Sequence, residues 1–152
     1  MLEPRNGKIV ERGAGQIVTL TSESEWRSAA DVLRTLRPNL DAEQFVARRA
    51  QLSSEGYFLL GFRLGERVVS IASYAISPHA VLGRELLIHD MATLPEFQGC
   101  GHASALIAEL ILTAKRHGCG RLFAHTRNAQ SLYLRNGFEE YSTGMVRRVG
   151  EL

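Results

Sequence analysis

Hydrophobic positions along the chain change period several times, and each change marks an element. Gln16 to Leu20 reads as a short strand. Ser22 followed by Glu25 is a capping box, after which Trp26, Ala29, Ala30, Leu33 and Leu36 recur at helical spacing until Pro38 stops the run. Asp41 caps a second helix to about Ser54, with Gly56 as its exit. From Tyr57 the texture turns aromatic and β-branched. The run YFLLGFR, a turn at Leu64-Gly65-Glu66 and RVVSIASYAIS predict a hairpin.

Residues 78–83 then form a loop, and Arg84 to Thr93 a further strand. A long helix to about His117 is marked by Ala103, Leu106, Ile107, Leu110 and Ala114 on one face and by Gly118 at its end. Arg121 to Thr126 is a strand, Asn128 to Asn136 a short helix closed by Gly137, and residues 138–149 a terminal strand or hairpin. Residues 1–14 read as a mobile arm or a loosely held first strand. A helix crossing between the strands at 84–93 and 121–126 requires one parallel pair. The expected fold is therefore α+β: a mixed, mostly antiparallel sheet with one parallel strand pair, flanked by about four helices.

The 152 residues have room for a single domain, 1–152, and for a core without staples. Bases number 18, of which only Lys8 and Lys115 are lysines, against 16 acids. A net charge of +2 is too small for a nucleic-acid footprint or a polybasic membrane anchor. No stretch approaches a membrane span, the first fourteen residues carry no secretory pattern, and two cysteines outside any CxxC are the usage of a reducing compartment. A cytoplasmic location is the expectation.

The chemistry concentrates in Gln98-Gly99-Cys100-Gly101-His102-Ala103-Ser104, between a strand and a long helix. Small residues let a ligand approach the backbone, and free N–H groups at a helix start favour an anion. A phosphate or pyrophosphate site is the physical reading, beside the plainer one of a glycine turn feeding a helix. No Lys follows as a P-loop needs, and Ser104 stands where a dinucleotide fingerprint has its third glycine. A metal site from Cys100, His102, His117 and Cys119 is not expected, because the two halves sit at opposite ends of one helix, about 22 Å apart at 1.5 Å per residue.

Gln98, Gly101 and Ala103 match Q/R-x-x-G-x-G/A, and Asn128 to Phe138 is similar to a short helix ending in Tyr-x-x-x-Gly-Phe. With both motifs in order, residues 16–148 resemble the GNAT superfamily of acetyl-CoA-dependent N-acetyltransferases. That resemblance implies a V-shaped opening between the strands at 84–93 and 121–126. It also implies that acetyl-CoA is held by backbone from Gly99, Cys100, Gly101, His102, Ala103 and Ser104. Main chain at Met91, Ala92 and Thr93 would pair with the pantetheine, with Gln98, Asn128 and Tyr133 contributing. Arg127, Arg135 and Lys115 are local candidates for the outer phosphate.

Tyr133 matches the family tyrosine that donates a proton to the departing thiolate; packing against the sheet is its plainer role. For the base that deprotonates the attacking amine, the resemblance ranks Glu85 first, because it stands before Gln98 at the spacing of the catalytic glutamate in histone-type members of the superfamily, with Asp90 second, His89 third and a water relay also open. Asp90 would face away from Glu85 and His89 unless a bulge intervenes. The plainer reading of Glu85 is an acid paired with an arginine. The acceptor is a small-molecule or peptide amine attacking directly. The rival is a non-catalytic acyl-CoA sensor or scaffold of the same fold. Only fourteen residues follow Phe138, which leaves the acceptor groove open or completed by a second subunit in a homodimer.

Overall fold

A computed structural model describes residues 10–12, 15–126, 129–141 and 144–150. Strands β1 (Val10–Arg12), β2 (Gly15–Thr19), β3 (Tyr57–Leu64), β4 (Arg67–His79), β5 (Gly83–Thr93) and β6 (Arg121–Ala124) form one sheet in chain order. The pairings are antiparallel up to β5, and β5 with β6 is the expected parallel pair. The expected arm at 1–14 thus includes a strand at residues 10–12; the rest of it lies outside the described residues.

Helices α1 (Glu23–Leu33), α2 (Ala42–Ala47) and α3 (Arg49–Ser54) cover one face of the sheet; α4 (His102–Arg116) and α5 (Gln130–Arg135) cover the other. The capping box forms as expected: Ser22 Oγ accepts from Glu25 N at 3.2 Å, and Glu25 Oε1 accepts from Ser22 N at 3.0 Å. Trp26, Ala29, Ala30 and Leu33 are buried against Val18, Leu59, Val68 and Ile71, and Trp26 Nε1 donates to the Leu20 carbonyl at 2.9 Å. The opposite layer packs Leu106, Ile107 and Leu110 on Phe58, Leu60, Leu86 and Ile88.

Three boundaries differ from the expectation. Leu36, placed on the buried stripe of α1, is 51% exposed, because α1 ends at Leu33. Thr35 Oγ1 caps the Val32 carbonyl at 2.8 Å, and the residue before Pro38 is steered out of the helical region. The single helix expected over 41–54 is two, giving five helices rather than four. α2 packs through Phe45 on Trp26, ring centroids 4.7 Å apart, while α3 turns towards β3, and Arg48 with ψ near −5° makes the bend. The terminal strand or hairpin expected over 138–149 is absent among the described residues. Tyr141, Met145, Val146 and Val149 are exposed there. No helix among the described residues is long and apolar enough to cross a membrane.

Candidate functional site: a splayed strand pair beside an uncapped helix

β5 and β6 pair from Glu85 opposite Arg121 to Ile88 opposite Ala124, and there β6 ends. β5 runs on to Thr93, so its edge from His89 onward has no strand partner among the described residues. Unpaired edge N–H and C=O groups are a template for an extended ligand. Met91, Ala92 and Thr93 lie on this edge. Thr93 is fixed from both sides: its Oγ1 is 2.8 Å from Ser70 Oγ, and its carbonyl accepts from Gln98 Nε2 at 3.2 Å.

A bulge decides which groups face across the opening. Ile88 lies opposite Tyr74 and Asp90 opposite Ser73, leaving His89 as the extra residue. Leu86 and Ile88 pack under α4. Beyond the bulge Met91 packs on that side and Ala92 on the α1 side, so the alternation has shifted by one. Asp90 therefore shares the α1 face of the sheet with Glu85, a consequence of the bulge that regular alternation would forbid. Its backbone N–H donates to Ser73 Oγ at 3.0 Å. Its carboxylate accepts from Arg37 Nη2 at 2.8 Å, across 53 residues of sequence. His89 is exposed, its ring lying over Tyr57 at 5.8 Å and 18°.

Glu85 sits in the paired part of β5, five residues short of Asp90. Its carboxylate accepts from Arg121 Nε at 2.7 Å, and that guanidinium also covers the rings of Phe123 and Tyr141. The plainer of the two roles expected for Glu85 is thus the one its contacts describe.

After the turn at Pro95–Phe97 the chain passes through Gly99 (φ +76°) and Gly101 (φ +84°). Both need the left-handed region that L side chains avoid. Gly101 is the N-cap of α4, so no side chain caps the helix, and no acid stands in its first turn. Ala105 N is the first amide to close, onto the Gly101 carbonyl at 3.0 Å. The amides of His102, Ala103 and Ser104 are left for a ligand. The His102 ring packs on Phe62 with centroids 4.2 Å apart, so its side chain faces the sheet. Cys100 is exposed, and its Sγ lies 3.8 Å from the Gln98 carbonyl.

α5 is tied to this loop by Asn136, whose Nδ2 donates to Ser104 Oγ at 3.1 Å and to the Leu132 carbonyl at 2.8 Å. Tyr133 is buried and set edge-on to Phe138 at 5.1 Å. Burial first, and the Asp90 charge second, push its phenol up to about 12. Asn128 and Arg127 lie outside the described residues. Sequence reasoning did not single out Arg37, Tyr57, Ser73 or Asn136. For Asn136 the signal was present, beside Gly137 in the second motif; for the other three no local pattern points to residue 90.

The fold, a mixed sheet whose one parallel pair among the described residues opens beside an uncapped, glycine-led helix, is the one expected for an acyltransferase of this resemblance. The sequence agrees: residues 23–138 match the acetyltransferase (GNAT) family, and the chain belongs to that family, which makes it an acyltransferase. No curated protein matches it in sequence. Among solved structures it resembles an acetyltransferase of Trypanosoma brucei at 22% identity, with 89% of this chain and 99% of that one covered and a TM-score of 0.78. An aminoglycoside N-acetyltransferase in complex with CoA is similar at 19% identity, coverages of 91% and 97%, and a TM-score of 0.77. Glucosamine-6-phosphate N-acetyltransferase from Arabidopsis thaliana is similar at 16% identity, coverages of 90% and 99%, and a TM-score of 0.78.

Proposed function

We propose that the protein transfers acetyl from acetyl-CoA to a primary amine by direct attack. The observation that carries this reading is the opening of β5 from β6 after Ile88, with Tyr133 in the same packed cluster as Ile88 and Met91 and the free α4 amides beside it. The pyrophosphate is held by backbone from Gly99 to Ser104, where the helix dipole favours negative charge. The pantetheine runs along the free β5 edge at Met91, Ala92 and Thr93 as an added strand. This leaves the thioester between Tyr133 and the α1 face.

Asp90 takes the proton of the incoming ammonium, directly or through one water, because it stands at the opening while Glu85 lies in the stretch of β5 paired with β6. The amine then adds to the thioester carbonyl; the adduct nitrogen releases its extra proton to water, and collapse of the tetrahedral adduct forms the amide, breaks the C–S bond and releases coenzyme A as the thiolate. Tyr133 donates a hydrogen bond to the leaving sulfur. A phenol near 12 is a weaker acid than an ordinary thiol, so it stabilises the thiolate by a hydrogen bond rather than by full proton transfer. Calorimetric titration with acetyl-CoA, followed by thiol release with an amine panel, tests the reading. Saturable binding at micromolar to low-millimolar ligand with amine-dependent thiol release is expected; no binding at millimolar ligand would overturn it.

A further inference from the structure

Both carboxylates of β5 already carry an arginine: Glu85 is matched by Arg121 and Asp90 by Arg37. One turn before Arg37, Arg34 is likewise paired with Asp31 at 3.3 Å. An acceptor bearing several ammonium groups thus meets no unmatched carboxylate on the strand that borders the opening. This differs in kind from what a polycation requires, whatever the fold has in common with an aminoglycoside N-acetyltransferase.

The Arg37–Asp90 pair is also only half used. Arg37 gives one hydrogen bond, from Nη2 to Asp90 Oδ1, and makes no other ion pair among the described residues. Its side chain is 59% exposed, and the Asp90 side chain 15%. Donors on Nη1 and Nε and the second carboxylate oxygen are therefore unspent, side by side. Arg37 sits on the turn closing α1, where its amide is held by the Leu33 carbonyl at 3.0 Å, and Asp90 is fixed by Ser73. The two charges are presented by ordered backbone.

Resting on the acetyl-transfer reading, we propose that Arg37 and Asp90 form a subsite for an acceptor whose amine stands next to a carboxylate, such as a free amino acid. The ammonium bonds to Asp90, where its proton is to be taken, and the carboxylate takes the spare donors of Arg37. Neighbouring opposite charges on the acceptor run antiparallel to those of the pair, so both partners stay matched when the acceptor binds. A lone amine could take the second Asp90 oxygen but would leave the spare donors of Arg37 without a partner. The exposed His89 ring, backed by Tyr57, lies next to Asp90 as a wall for the acceptor's side chain.

The test is calorimetry on the full chain saturated with coenzyme A, which permits acceptor binding without turnover. The titrants are free L-amino acids, the same compounds as carboxamides, and spermidine. At least one free amino acid is expected to bind tenfold or more tightly than its amide. Arg37→Gln is expected to erase that preference by weakening the acid about tenfold, with coenzyme A affinity on the same variant reporting an intact fold. An amide or spermidine binding as tightly as every acid, no acceptor binding at all, or a preference that survives Arg37→Gln overturns the subsite. Should coenzyme A itself fail to bind, the acetyl-transfer reading fails and the subsite with it; coenzyme A binding without acid preference defeats the subsite alone.

Discussion

At the scale of single residues, the proposed chemistry rests on Tyr133 and Asp90, and their surroundings set what each can do. Raised from 10 to about 12 by burial, Tyr133 keeps its proton throughout the range in which an enzyme of this kind is assayed. Ionisation of this phenol therefore cannot limit activity below about pH 10. Tyr133→Phe is expected to lower kcat by roughly tenfold or more while leaving KM for acetyl-CoA within about threefold, since only the hydrogen bond to the leaving sulfur is lost. The wild type should show no alkaline fall in kcat up to pH 10; unchanged turnover in Tyr133→Phe would reduce Tyr133 to a packing role. Asp90→Asn should cost a comparable or larger factor, and Glu85→Gln little, as measured by thiol release across pH 6–9.

At the scale of elements, the bulge in β5 is the feature on which the site turns. One extra residue, His89, carries Asp90 to the α1 face and shifts Met91 beneath α4. The bulge is pinned by Ser73, which is buried and accepts the Asp90 amide. Ser73→Ala leaves that amide without its partner, at about 1–3 kcal/mol. Loss of kcat is expected to exceed what stability alone explains, because Asp90 loses its fixed position. Thermal denaturation together with kcat on the same sample checks this: a stability loss with full activity would mean the bulge holds without Ser73. The other deciding element is α4, whose start combines Gly101 with the absence of any cap or acid. Its 15 residues were legible from the period of Ala103, Leu106, Ile107, Leu110 and Ala114, all on one face.

At the scale of the whole molecule, two layers of helices sandwich the sheet, and the tyrosines they bury tie stability to pH. Tyr74 and Tyr133 are both pushed to about 12 by burial, and Tyr57 is raised as well. The unfolded chain loses these protons near pH 10 and the folded chain later, so the unfolded state binds fewer protons in between. Their contribution is complete below pH 10 and is lost as pH rises towards 12. The melting temperature should fall steadily from pH 9.5 to 11, and Tyr74→Phe should flatten that fall. A melting temperature level to pH 11 would contradict the burial of these phenols.

Local pattern was enough for most elements and for the glycine loop that opens α4. Helix and strand periods, the capping box, the turn at Gly65 and the glycines of 98–104 are written in neighbouring residues, and short-range physics enforces them. The same local logic misplaced Leu36 and joined α2 to α3, because the choice of surface each segment packs on is made far away in sequence. The bulge at His89, the pairing of Asp90 with Arg37 across 53 residues and the pairing of Glu85 with Arg121 across 36 arise only when the sheet is assembled. Sequence alone thus determined most helices and strands and the glycine-led loop that enters α4. Tertiary structure decided which carboxylate reaches the opening, since that depends on strand register and on charges that meet only after folding.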